Sequence, residues 1–119
     1  MAIDFTLPPD VEEVRRRVRE FMDDLVRPAE EKLVADKAGP DEWRAKLKEL
    51  REQAKEWNLW LPHMPPEYGG QGLGATAMAF VSAEAGRTTF GPYILNAYAP
   101  DEGNHHTLLH FATDDQKEK

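Results

Sequence analysis

Cysteine is absent from this chain of 119 residues. Disulfide bonds, thiolate metal sites and a cysteine nucleophile are therefore excluded. Serine occurs only once, at Ser82, in an alanine-rich stretch that is predicted to form a buried helix. Because no neighbour in the sequence would activate that hydroxyl, a packed helical serine is a better interpretation than a nucleophile.

Positive charge is scarce, since Asp and Glu outnumber Lys and Arg by 22 to 15 and the net charge is −7. A nucleic acid or an anionic membrane surface requires a basic patch, so neither is expected as the main partner. The one basic run, Arg15-Arg16-Arg17 with Arg19, lies among glutamates on a predicted helix. We interpret it as a solvated helix face with i,i+4 ion pairs.

Long apolar runs are missing too. None approaches the ~20 residues of a membrane-spanning helix, and the N-terminus lacks the basic and apolar regions of a signal peptide. The sequence therefore predicts a cytoplasmic protein without a membrane span. Hydrophobic residues make up 40% and charged residues 31% of the chain, which is typical of a small soluble domain, and the length suits a single domain over residues 1–119.

Helical periodicity is the dominant pattern that the sequence contains. Apolar residues step by three or four along a first helix that starts at about Pro8, and Pro28 is expected to kink or end this helix. Strand-like alternation is not found. The fold class is predicted to be all-α, a small bundle of about five helices. The stretch at 29–36 is again compatible with a helix, and the predicted second to fifth helices cover about residues 40–57, 75–85, 91–98 and 102–111.

A capping box lies close to the end of the chain. Thr113 and Gln116 have the spacing at which each side chain bonds the backbone amide of the other, so they predict the start of a sixth helix. The sequence stops three residues later, at Lys119. This suggests a domain cut from a longer protein.

Four of the eight glycines lie in PPEYGGQGLG, residues 65–74. Residues 70–75, Gly-Gln-Gly-Leu-Gly-Ala, even fit G-x-G-x-x-A, a variant of the dinucleotide-binding fingerprint. That fingerprint needs a buried strand before it, and Pro65 and Pro66 exclude such a strand. We therefore interpret this segment, called the glycine loop below, as an irregular joint whose glycines permit a tight path.

Histidines cluster on the last long predicted helix, together with Glu102. Glu102-x-x-His105 resembles half of a di-iron motif, and His106 and His110 have the spacing of two ligands on one helix face. The two pairs point in different directions, and two histidines without a third ligand make a weak metal site. Structural or solvated histidines are the better interpretation, and no metal site is predicted.

Three short stretches occur in a fixed order along the chain. They are Leu59-Trp60-Leu61-Pro62 with Pro66-Glu67-Tyr68-Gly69-Gly70-x-Gly72, then Ala83-Glu84-Ala85-Gly86-Arg87, then Ala99-Pro100-Asp101-x-Gly103-Asn104 with residues 111–119. Together they resemble the N-terminal helical domain of one family, the acyl-CoA dehydrogenases. The segment at 96–104 also points to a branch whose members are sometimes fused to an aminoglycoside-phosphotransferase-like domain. The resemblance spans essentially the whole chain.

The resemblance implies one domain of a flavoprotein that also has a middle β-domain and a C-terminal helical domain, both absent here. Such enzymes oxidise the Cα–Cβ bond of acyl-CoA thioesters, with a glutamate as base and FAD as hydride acceptor. That glutamate and most FAD contacts belong to the absent domains. We therefore expect no catalytic residue in this chain, no tight FAD binding and no activity alone, and the cofactor-binding residues stay unassigned.

The resemblance also implies partners and a role. The expected partners are an acyl-CoA substrate, the remaining dehydrogenase domains and, in the full-length form, further copies in a homo-oligomer. Asn96, Ala99, Pro100 and Gly103 are candidates for lining the acyl chain, although helix packing would equally explain small residues there. The alternative function is a non-catalytic helical module that needs a partner chain, which an exposed apolar surface would favour.

Overall fold

A computed structural model describes residues 2–119, and this part of the chain contains helices and no strands. The α-helices are α1 (Pro9–Phe21), α2 (Arg27–Ala35), α3 (Pro40–Glu56), α4 (Ala75–Ala85), α5 (Gly91–Ile94), α6 (Asp101–Phe111) and α7 (Asp114–Lys117). Five of them, α1, α2, α3, α4 and α6, have nine or more residues, which confirms the predicted all-α bundle. A π-helical turn joins α1 to α2, and a 3₁₀ turn, Pro66–Tyr68, lies in the glycine loop.

Pro28 does not end the first helix. A proline has no amide hydrogen to donate to the carbonyl four residues before it, so a regular α-helix is disturbed at that point. The chain accommodates this with a π turn over Met22–Val26, in which the Arg27 amide donates to the carbonyl of Met22. The expected break is thus a widened turn, and α2 continues from it.

The core lies where α1 and the π turn meet α3, α4 and α5. The predicted apolar faces supply much of it, since Val18, Phe21, Leu50 and Ala54 are all buried. The ring of Phe21 also meets Trp57 edge-on, with the centroids 5.4 Å apart. The buried hydrophobic residues of this cluster are Val18, Phe21, Met22, Val26, Leu50, Ala54, Leu59, Met78, Val81, Ala85, Ile94, Leu95 and Ala97.

The basic run on α1 has a second role besides solvation. Arg16 pairs on the surface with Glu20, four positions on, as predicted, and also with Glu13 at 2.8 Å. Arg15 and Arg19 instead reach the buried carboxylate of Glu84 on α4, with N–O distances of 3.2 and 2.6 Å. The interpretation as a purely solvated face was therefore incomplete, because two of its arginines tie α1 to α4.

The structure corrects two further predictions, one on α4 and one on α5. Ser82 is exposed on α4, so the prediction of a buried serine is wrong. The helix expected over 91–98 ends at Ile94. Asn96 then adopts φ +54°, a left-handed conformation that asparagine tolerates better than most residues and that ends a helix.

The C-terminal capping box forms as predicted. The Thr113 amide donates to Gln116 Oε1 at 2.9 Å, and the Gln116 amide donates to Thr113 Oγ1 at 3.4 Å, which starts α7. The radius of gyration is 15.8 Å, against about 13.5 Å for a compact domain of this length. The helices are therefore packed less compactly than in a typical domain of this length, and part of their surface stays open to solvent. Each helix within residues 2–119 is too short or too polar to span a lipid bilayer.

Candidate functional site

Helix α6 presents an exposed surface at the C-terminal end of the chain. None of its residues is buried. Gly103, Thr107 and Phe111 follow one another at a spacing of four, so they share one side of the helix, and all three are exposed. Leu108, beside Phe111, is 52% exposed and Phe111 itself 84%. We call Gly103, Thr107, Leu108 and Phe111 the α6 outer face.

The opposite side of α6 rests on the chain that follows α3. Glu102, His105 and Leu109 are half-buried, and His63 lies beneath them with only 4% of its surface exposed. His63 Nε2 lies 3.2 Å from His105 Nδ1, within hydrogen-bonding distance. This contact, across 42 positions of sequence, positions α6 against the body of the domain.

The four sequence-predicted acyl-lining residues do not share one environment. Ala99, Pro100 and Gly103 are exposed at the start of α6. Asn96 is 8% exposed, and its Oδ1 has no hydrogen-bond partner among residues 2–119. Three of the four are therefore accessible to a ligand or a neighbouring domain, whereas Asn96 lies inside the turn that leads to them.

His63 is a residue that the sequence pattern did not single out. Its ring stacks on His105 and is tilted against His106, with centroids 5.4 and 5.3 Å apart. Burial lowers the pKa of His63, and the neighbouring His105 and His106 lower it further, while Glu102 raises it. The histidine is therefore held neutral at pH 7, which suits a ring packed against two others.

The histidines do not assemble a metal centre. No group of three or more His, Cys, Asp or Glu side chains within the described residues is placed to hold a metal ion. His106 and His110, the pair with ligand spacing, are both exposed. The ring of His110 instead lies near Phe111, with the centroids 6.4 Å apart.

The glycine loop uses its amides internally. Gly70, Gly72 and Leu73 donate to the carbonyls of Pro65, Met64 and Pro62 at 3.2, 2.8 and 3.0 Å. A phosphate cradle needs free amides directed at the ligand, and these three amides are already engaged within the loop. Its glycines instead allow backbone conformations that other residues rarely adopt, because Gly69 and Gly72 have φ of +85° and +64°.

A bundle with this loop and this exposed helix has known counterparts. The family model for "Acyl-CoA dehydrogenase, N-terminal domain" matches residues 8–119. The chain belongs to the acyl-CoA dehydrogenase family. The suspected resemblance is thereby confirmed over almost the full length of the sequence.

Individual acyl-CoA dehydrogenase relatives agree. Mouse acyl-CoA dehydrogenase family member 11 is 32% identical over 117 residues, which cover 91% of this chain and 14% of that protein. Mouse family member 10 is 31% identical over 118 residues, covering 93% and 11%. A solved Mycobacterium abscessus structure, assigned to the acyl-CoA dehydrogenases, superposes with a TM-score of 0.79 at 30% identity, covering 96% of this chain and 31% of the other.

This chain therefore spans less than a third of each of these proteins. It corresponds to the N-terminal helical domain of an acyl-CoA dehydrogenase, and the rest of each relative lies beyond the matched region. What the relatives do as whole proteins depends on segments that the match does not include.

Proposed function

We propose that this domain forms one wall of the acyl pocket of a FAD-dependent acyl-CoA dehydrogenase and has no activity alone. The observation that supports this is the α6 outer face, an exposed helix side in a family that acts on acyl-CoA. Bound FAD would accept the hydride from the substrate in the complete enzyme. The residues of this chain would shape the apolar side of the pocket, next to the remaining dehydrogenase domains and within a homo-oligomer.

Small side chains at the start of α6 suit this role. A Cβ added at Gly103 would meet no atom within 4 Å, so the space above that glycine is free for a methylene chain or a neighbouring domain. Ala99 and Pro100 border the same end of the helix and are exposed. Asn96 would contribute through the turn it forms, because its side chain is buried.

The isolated chain is expected to show no turnover. Purified chain would be mixed with FAD and an acyl-CoA, and dye reduction would be followed alongside flavin absorbance on gel filtration. A complete acyl-CoA dehydrogenase, such as the Mycobacterium abscessus relative, serves as the positive control. The expected result is no dye reduction and no coeluting flavin. Clear turnover by the isolated chain would contradict the proposal.

The pocket wall is tested in a complete enzyme. Residues 8–119 would replace the matching domain of the Mycobacterium abscessus relative, and Gly103→Leu would then be introduced. An added isobutyl group should shorten the pocket, so kcat/KM for a long acyl-CoA relative to a short one is expected to fall about tenfold or more.

Ala45→Leu is the matched control, since Ala45 is an exposed residue of α3 and lies on a different helix. It should leave the chain-length ratio unchanged. An active chimera in which Gly103→Leu also leaves the ratio unchanged would remove α6 from the pocket wall.

The alternative is a helical module that acts through protein contacts. Exposed Leu108 and Phe111 favour it, because apolar side chains that protrude from a helix end promote association. The gel-filtration run on the isolated chain distinguishes the cases. A dimer that dissociates in Leu108→Ser, with an inactive chimera, would favour the interaction module over the pocket wall.

A further inference from the structure

A basic groove runs along the solvent side of α3, and none of its residues belongs to the α6 outer face. Its volume is about 420 Å³, within the range of small-molecule sites. Four cationic side chains one turn apart face it, although the whole chain carries a net charge of −7. The lining residues are Arg44, Leu47, Lys48, Arg51, Glu52, Lys55, Trp60 and Tyr93.

Arg51 is held in place at the centre of this groove without an acidic partner. Its guanidinium carbon lies 4.5 Å from the ring centroid of Trp60 and 4.5 Å from that of Tyr93. Contacts between a guanidinium and aromatic faces are favourable and leave the N–H groups at the edge of the plane free to donate. Arg51 is therefore a preorganised donor.

The charges around the groove do not cancel. Arg44 pairs with Asp41 at 2.7 Å, and Lys55 pairs with Glu52 at 2.9 Å. Lys48 and Arg51 form no ion pair with any residue in the part of the chain that the structure describes. These two cations are three positions apart on one helix, where side chains are neighbours. The groove thus keeps two adjacent positive charges that lack a direct ion-pair partner in the described chain, and the one carboxylate in its lining, Glu52, is paired with Lys55 while also within electrostatic range of both.

We propose that this groove binds a phosphoryl group of a small molecule, with Lys48 and Arg51 as its main ligands. A phosphate monoester carries about −1.5 to −2 charges at pH 7, which matches two cations without ion-pair partners, whereas one carboxylate carries a single charge. The planar fork of Arg51 suits bidentate contact with phosphate oxygens. Trp60 and Tyr93 supply an apolar wall for the organic part of the molecule.

The proposal is tested by NMR on the isotopically labelled chain of 119 residues. Inorganic phosphate and phenyl phosphate would be titrated at constant ionic strength and pH 7.5. The expected result is a saturable shift of the Trp60 indole signal and of the backbone amides of residues 48–55, with little change at buried Phe21. Lys48→Gln and Arg51→Gln should each raise the Kd about tenfold or more, the loss expected for one charge-assisted hydrogen bond.

Two controls make the outcome decisive. Arg16→Gln removes the same charge from an exposed surface site on α1 and should leave the Kd unchanged. Benzenesulfonate joins the same phenyl ring directly to a tetrahedral anionic group with only one charge, and it should bind at least several-fold more weakly. Lys48 is exposed, so Lys48→Gln keeps the test valid if Arg51→Gln disturbs folding.

Several results would overturn the proposal. These are shifts that do not saturate, an unchanged Kd in Lys48→Gln, or benzenesulfonate binding as tightly as phenyl phosphate. If a glutamate-rich peptide binds while neither inorganic phosphate nor phenyl phosphate shifts the NMR signals, the groove is a protein-docking surface instead.

Discussion

Replacing Gly70 by alanine is expected to lower the free energy of unfolding by about 3 kcal/mol, at the upper end of the range for inserting an atom into a packed interior. A Cβ at this position would overlap the carbonyl oxygens of Met64 and Leu61. Both are backbone atoms, so a side-chain rotation cannot relieve the overlap. The Met64 carbonyl is also fixed by the amide of Gly72 at 2.8 Å. Urea unfolding followed by circular dichroism measures the effect.

Gly74→Ala is the matched control within the same loop. A Cβ there would meet no atom within 4 Å, and its φ of −77° is accessible to alanine. Gly74 is the N-cap of α4, where alanine is less favourable than glycine, so the loss should be up to about 1 kcal/mol and well below that of Gly70→Ala. Equal losses in the two variants would refute the close approach at Gly70.

Glu84→Gln is expected to lower the free energy of unfolding by about 2–3 kcal/mol, because it removes the charge from a buried acceptor of charge-assisted hydrogen bonds. Glu84 is 5% exposed. Arg19 donates to both of its carboxylate oxygens, at 3.0 and 2.6 Å, and Arg15 donates at 3.2 Å. The amide of glutamine would leave these α1 arginines facing a neutral group. Urea unfolding at pH 7 measures the loss.

The ion pairs of Glu84 are also expected to make the free energy of unfolding depend on pH. The hydrogen bond from Arg19 lowers the pKa of Glu84, and Arg87 lowers it further. A carboxyl whose folded pKa is depressed stabilises the protein above its unfolded pKa of about 4.3, and this contribution is lost as the pH falls through the folded value. Below pH 4 the difference in the free energy of unfolding between wild type and Glu84→Gln should shrink.

Glu13→Gln, at an exposed ion pair with Arg16, should cost less than about 1 kcal/mol at any pH. A gap that stays constant with pH, or an equal loss in Glu13→Gln, would show that the charge of Glu84 is not the cause.

Local patterns along the chain were sufficient for most of the architecture. The 3-and-4 spacing of Val11, Val14 and Val18 indicates a helix wherever the chain is placed, since one helix face is set by the 3.6-residue period alone. The capping box of Thr113 and Gln116 is equally local, and it forms as predicted. Kinship with the acyl-CoA dehydrogenases followed from short motifs in a fixed order, which is also information carried by the linear sequence.

Contacts between segments that are distant in the sequence could not be predicted from such local patterns. Whether Ser82 is buried depends on which side of α4 meets the core, and an alanine-rich helix with apolar residues on most sides does not specify that side. Asn96 and Gly103 belong to one motif, yet only the turn at Asn96 decides that the first is buried and the second exposed. The candidate acyl-lining residues could thus be listed from the sequence but not sorted by accessibility.

The sequence by itself determined most of the helices, the irregular glycine loop and the family. Only the tertiary structure decided that Glu84 joins arginines of α1, that His63 supports α6 through His105, and that Arg51 lies between Trp60 and Tyr93. The physical reason is the range of the interactions. Helix periodicity, capping and proline effects act within a few residues, whereas burial and ion pairing depend on neighbours that are brought together only when the whole core packs.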